Sequence, residues 1–205
     1  MQITSNILTS DTRLVVFDLD GTLYKKTGMV RKMLCAAPLD CIKMWAERKT
    51  RKQLRGVWLL DESAFYETYF RTMANHCSLS PRQLRTWYFE QYLPLMVSVI
   101  GKHFKTVEWL SSFVSECRKR NVKLVVLSDY GHTHEKLHAL GIDEKLFDWV
   151  ISAPELGGLK PAAQLITQVA AHFSVPAEHC LVIGDREDTD GELARAVGAR
   201  FCLTK

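Results

Sequence analysis

Apolar residues fall along this chain in two rhythms. Short apolar runs occur at 14–17, 122–127 (interrupted only by Lys123), 149–151 and 180–183. Runs of this kind predict strands buried on both faces, as in a parallel sheet. A further run at 200–203 predicts a closing edge strand. Between the runs, apolar positions recur at helical spacing. Phe104, Val107, Leu110, Val114 and Cys117 predict a helix over 104–120, with Arg118, Lys119 and Arg120 suited to the negative end of its dipole. Another helix is expected from Thr133 until Gly141 stops it. A third starts at Pro161 and runs through Leu165, Val169 and Phe173. A fourth runs from Thr189 to Val197. Strands alternating with helices predict an α/β fold with a doubly wound, Rossmann-like parallel sheet.

Residues 29–100 break this alternation, because helices are expected there and no strands. Leu39, Ile42 and Trp45 form one apolar stripe after Pro38. Asp61 is an N-cap candidate, with Glu62 in the first turn. Phe65, Tyr69 and Met73 then recur at helical spacing, as do Tyr66 and Phe70. Ser80-Pro81 marks a helix start, and that helix is expected to break before Pro94. The aromatic stripes read as the core of a helical bundle. Residues 1–13 read as a polar lead-in, and 24–28 as a flexible connection. The expected organisation is a discontinuous core domain (1–24 plus 101–205) carrying an inserted all-helical cap domain (25–100).

Composition agrees with one domain bearing an insertion. The 205 residues are 47% hydrophobic and 24% charged, as in globular proteins. The longest apolar stretch, 92–100, is too short to span a bilayer, so no membrane partner is expected. No signal peptide is expected before the first strand. The six cysteines are scattered without a CxxC pair, which suggests free thiols in a reduced, cytoplasmic protein. The net charge of +4 is uneven: 25–100 holds 13 Lys and Arg against 6 Asp and Glu. Lys43, Arg48, Lys49, Arg51, Lys52 and Arg55 face only Glu47. This run reads first as a solvated helix face. Recognition of an anionic leaving group is a second reading, and phosphate contacts to nucleic acid a third. No nucleic-acid motif accompanies it, so a nucleic-acid partner is not expected. His132, His134 and His138 lack the companions of a zinc site and read as surface or capping residues.

The chemistry sits at the strand ends. Asp18 and Asp20 follow the first run at i, i+2 spacing, which puts both on one side of an extended chain. Gly21 then turns the backbone. In open α/β sheets, ligands bind beyond the carboxyl ends of the strands, and acids there are costly unless they hold a cation or react. Ser128-Asp129 ends the second run, where a hydroxyl and backbone N–H groups suit phosphate oxygens. Lys160 precedes Pro161 at a helix start and could neutralise a phosphoryl group. Gly184-Asp185 and Asp190 follow the fourth run and complete an oxygen-rich cation site. Glu187 and Asp188 read as helix N-terminal charge. Arg186, beside Asp185, is a candidate for reaching the substrate.

Asp18-x-Asp20-Gly21-Thr22, the strand ending in Ser128, Lys160 before a proline, and Gly184-Asp185-x4-Asp190 resemble, in order, the four motifs of the haloacid dehalogenase-like superfamily. The insert lies where that superfamily places a C1-type cap. The resemblance implies a Mg²⁺-dependent phosphatase of a small phosphorylated metabolite. It implies Asp18 as nucleophile and metal ligand, and Asp20 as general acid and base. The Asp20 carbonyl and Asp185 would also bind the metal. Ser128, Asp129 and Lys160 would hold phosphate, with Thr22 and Asp190 in support. The dehalogenase branch lacks the second aspartate, which disfavours C–halogen hydrolysis. P-type ATPases carry Lys at the Leu19 position. A phosphomutase, or a non-catalytic binding protein with a basic cap, is the alternative. A monomer or dimer is expected.

Overall fold

β1 (Leu14–Phe17) is the central strand of a five-stranded sheet ordered β3-β2-β1-β4-β5, in a computed structural model that describes residues 5–204. Its neighbours are β2 (Lys123–Ser128) and β4 (Cys180–Gly184), flanked in turn by β3 (Trp149–Ser152) and β5 (Arg200–Leu203). Every pairing is parallel. The alternation of side chains along a strand divides the core in two. Leu14, Val16, Val125, Leu127 and Val182 pack beneath Leu165, Ile166, Val169 and Leu193, which come from α8 (Ala163–His172) and α9 (Glu192–Ala196). Val15, Phe17, Val126 and Ile183 face the other way, against Phe113, Val114, Cys117 and Leu137. Those come from α6 (Leu110–Lys119) and α7 (Thr133–Ala139). Phe17 meets Phe113 edge to face at 6.0 Å. Each such side chain contributes about 1.5–3 kcal/mol on full burial, so covering both faces is what stabilises these short strands.

Five α-helices lie between β1 and α6: α1 (Met29–Ala36), α2 (Cys41–Gln53), α3 (Glu62–Ala74), α4 (Pro81–Trp87) and α5 (Leu93–His103). Asp61 caps α3 by accepting from the Ala64 N–H, and Ser80 forms a capping box with Gln83. Phe65, Tyr69 and Met73 are buried, as their stripe requires.

Several boundaries differ from expectation. Pro94 does not break the helical path; a wide turn at 88–92 leads directly into α5, with Pro94 in its first turn. There a missing N–H costs nothing. Residues 104–109 are not helical. Val107 donates to the Leu23 carbonyl and Thr106 pairs with Tyr24, because the chain docks against the exit of β1 before α6 begins. The helix expected from Pro161 starts at Ala163, and the one expected from Thr189 begins as a wide turn at 187–191. The insert also makes one strand-like contact, a bridge between Trp58 and Gly158. Of the lead-in, residues 1–4 lie outside the described part. Leu8 is buried in the core, and Arg200 donates to Ile7 and Thr12.

Among the described residues, no helix is long and apolar enough to cross a membrane. All six cysteines are free.

Candidate active site

Strand order places the ends of β1, β2 and β4 side by side, so the motifs after them converge. The Asp18 N–H donates to Ile183 at 2.8 Å, extending the ladder one residue past β1. Thr22 Oγ1 donates to Asp18 Oδ2 at 2.8 Å. Lys160 Nζ, which is buried, donates to Asp18 Oδ1 and Asp190 Oδ1, both at 2.8 Å. Carboxylate oxygens of Asp18, Asp185 and Asp190 lie within 4.8 Å of one another. Two glycines permit this crowding. A Cβ on Gly21, whose φ is +112°, would stand 2.2 Å from Asp185 Oδ2, and one on Gly184 would stand 2.3 Å from Asp190 Cγ. Both distances are shorter than any tolerable contact.

Burial and charge act together on these groups. Burial pushes the Asp190 carboxyl up to about 6, against the pull of Lys160. Burial also raises Asp185, although Lys26 opposes it. Burial alone would lower Lys160, but Asp18 and Asp190 hold its ammonium well above the ordinary lysine value. Acids that crowd so closely form a site short of positive charge.

The donors are all hard oxygens, the chemistry Mg²⁺ requires. A cation is already drawn to this point: the Lys26 ammonium sits 2.6 Å from the Asp20 carbonyl and 2.8 Å from Asp185 Oδ2. The residues therefore fit Mg²⁺, with the Asp18 and Asp185 carboxylates and the Asp20 carbonyl as the groups able to hold it.

The Asp20 carboxylate turns towards β2. Its Oδ1 accepts from Tyr24 OH at 2.7 Å; its Oδ2 accepts from Ser128 Oγ and Lys136 Nζ, each at 2.9 Å. Burial would raise its pKa, but Lys136, Tyr24 and Ser128 pull it below the usual carboxylate value. Lys136 is fully buried, which lowers its own pKa despite Asp20. The Ser128 hydroxyl is thus committed to Asp20, and its oxygen also accepts from the Tyr130 N–H. The Asp129 carboxylate accepts from the Lys160 N–H at 3.0 Å, which leaves phosphate contacts from this residue to its backbone.

Over these groups lies a cavity of about 690 Å³, roofed by α2. Arg48, Lys49, Lys52 and Arg55 of the basic run are solvent-exposed, and Arg51 departs from that face. Arg51 is drawn inward to Glu47, whose side chain is 2% exposed. Arg51 also donates to the Asp129 carbonyl at 2.7 Å and lies 3.7 Å from the Tyr130 ring centroid. Tyr69 and Tyr92 donate to Glu47. Arg48, Lys52 and Arg55 line the cavity too. Arg186 lines it but pairs with Asp188, which also takes Arg55. Glu187 pairs with Arg195. Of the three histidines, His134 pairs with Glu144.

Lys136, Tyr24, Lys26 and the Glu47–Arg51 pair are the site groups that sequence reasoning missed. Lys136 carried a signal: it shares the buried face of α7 with Thr133 and Leu137, a position where an unpaired lysine is untenable. Nothing in the spacing of the other three set them apart from surface residues.

The fold and its acidic edge define an α/β protein that can hold a cation and an anion against a carboxylate. The chain belongs to the haloacid dehalogenase-like hydrolase family, whose family model matches residues 12–198. A 74-residue stretch is 34% identical to Protein SUPPRESSOR OF QUENCHING 1, chloroplastic, of Arabidopsis thaliana. That match covers 35% of this chain and only 7% of the plant protein. Among solved structures, the fold is similar to a 2-haloacid dehalogenase from Pseudomonas syringae (15% identity, TM-score 0.62, 94% of this chain and 86% of that one). It is similar as well to the HAD-hydrolase YfnB from Bacillus subtilis bound to magnesium (13%, TM-score 0.63, 94% and 88%). A predicted phosphoglycolate phosphatase from Haemophilus somnus matches at 16% identity and TM-score 0.59, over 93% and 84%.

Proposed function

We propose that the protein is a Mg²⁺-dependent phosphatase acting on a small phosphorylated metabolite. The observation that carries this reading is the grouping of Asp18, Asp185 and Asp190 around Lys160, with a second carboxylate, Asp20, two residues beyond the first. A halide leaves as a weak base and needs no proton, whereas an alkoxide does. A buried acid–base group beside the nucleophile and an oxygen-rich cation site therefore favour phosphate over halide chemistry. The magnesium-bound YfnB structure supports the same choice of ion.

Bound Mg²⁺ would offset the charge of the phosphoryl group and of the acids around it. In the first step Asp18 forms a bond to phosphorus as the bond to the leaving oxygen breaks, and Asp20 supplies a proton to that oxygen. In the second, Asp20 removes a proton from water as the water oxygen bonds to phosphorus. The Asp18–phosphorus bond breaks, and inorganic phosphate leaves. The proton that Asp20 takes from water in the second step restores the one it supplies in the first. Lys160 would hold phosphoryl oxygens, and its bond to Asp18 keeps that carboxylate oriented. The helical roof limits water over Asp18.

The test is phosphate release from p-nitrophenyl phosphate and a panel of phosphometabolites. We expect turnover with Mg²⁺, none with EDTA, and a loss of at least 10³-fold in Asp18→Asn. Chloride release from 2-chloropropionate without phosphate release would overturn the reading.

A further inference from the structure

Most cations around the cavity already have an anionic partner. Lys160 holds Asp18 and Asp190, Lys26 holds Asp185, and Arg51 holds Glu47. Arg55 and Arg186 share Asp188. Arg48 and Lys52 line the cavity with neither an ion pair nor a side-chain hydrogen bond among the described residues. They are four apart on α2, hence neighbours one turn apart on the same face. Elsewhere on that helix, Lys43 pairs with Asp40 and Lys49 lies over Trp45. Met33, Met44 and Met96 also line the cavity; methionines there can follow the shape of a short carbon skeleton.

Resting on the phosphatase reading, we infer that the substrate carries a second anionic group, held by Arg48 and Lys52 while its phosphoryl group lies at Asp18. The class is a phosphomonoester whose leaving group bears a carboxylate or a further phosphate. Two free cations one turn apart suit an anion with several oxygens. A leaving group without charge would leave both cations unused. A polyanionic strand is a poorer fit, because these two residues line the same cavity as Asp18.

The experiment compares matched esters: 3-phosphoglycerate against glycerol 3-phosphate, and fructose 1,6-bisphosphate against fructose 6-phosphate. We expect kcat/KM at least tenfold higher for the charged member of one pair, which also tells carboxylate from phosphate. That ratio should fall at least tenfold in the double variant Arg48→Ala/Lys52→Ala, through KM, and persist in Arg48→Lys/Lys52→Arg. A ratio near one in the wild type, or one that survives the double alanine change, overturns the inference while leaving the phosphatase reading intact. Absence of p-nitrophenyl phosphate turnover tests that reading separately. Calorimetric titration of the same four esters onto Asp18→Asn, with and without the double alanine change, then reads the anion site without turnover. Equal affinities in the two backgrounds overturn it.

Discussion

At the scale of single residues, Lys136 supports the site through Asp20. It is fully buried, and its ammonium bonds to Asp20 at 2.9 Å. Lys136→Met keeps the volume and removes the charge. It leaves Asp20 with Tyr24 and Ser128 only. We expect kcat to fall at least tenfold with a smaller change in KM, because the acid–base group loses its orientation rather than the substrate its binding. The same change should cost about 3 kcal/mol in chemical denaturation, the penalty for breaking one side of a buried pair. Equal losses of activity and of folded fraction would mean that Lys136 only supports the fold.

At the scale of elements, Asp148 ties α6 to the start of β2. It accepts from Arg118 and Lys123 and from the Leu124 N–H at 2.9 Å. Burial would raise its pKa, but the backbone N–H and the two cations hold it below the ordinary aspartate value. A lowered folded-state pKa means that unfolding takes up protons in acid. This contribution is therefore complete above the unfolded value, near 4, and is lost as pH falls through the lower folded value. Asp148→Asn should destabilise the protein by about 1 kcal/mol at pH 7. The gap between variant and wild type should narrow below pH 4 in thermal unfolding followed by circular dichroism. A gap independent of pH would assign the cost to packing.

At the scale of the whole molecule, the insert is joined to the sheet by more than its two chain connections. One apolar cluster runs without a gap from Val15, Phe17 and Val126 to Phe65, Tyr69 and Leu84. The loop after α2 adds backbone bonds to the Lys160 loop, from Gly56 to Lys160, Leu59 to Gly157 and Leu159 to Val57. A Cβ on Gly157 would lie 2.7 Å from the Leu59 carbonyl, so that glycine permits the close approach. Arg51 reaches the Asp129 carbonyl from the same helix. With a shared core, we expect one cooperative calorimetric transition whose enthalpy equals the van't Hoff value. Two resolved transitions would show that the helical insert melts by itself.

The sequence by itself determined the sheet and the order of the acids. Runs such as 14–17 and 180–183 are apolar throughout because both faces are covered, and that pattern is local and legible. Asp18, Asp185 and Asp190 stood out because charge following an apolar strand is unfavourable unless it binds an ion or reacts, and Lys160 because it precedes Pro161 at a helix start. Helix starts at Asp61 and Ser80 were equally readable, since a cap involves only its own next turn. Tertiary structure decided what depends on residues distant in sequence: that Ser128 and Lys136 commit to Asp20, that residues 104–109 leave the helical path to dock against Tyr24, and that Arg51 turns inward while Arg48 and Lys52 stay free over the cavity. A lysine on a helix has the same local pattern whether it meets water or a carboxylate more than a hundred residues away. Only folding, by setting burial against pairing, separates the two.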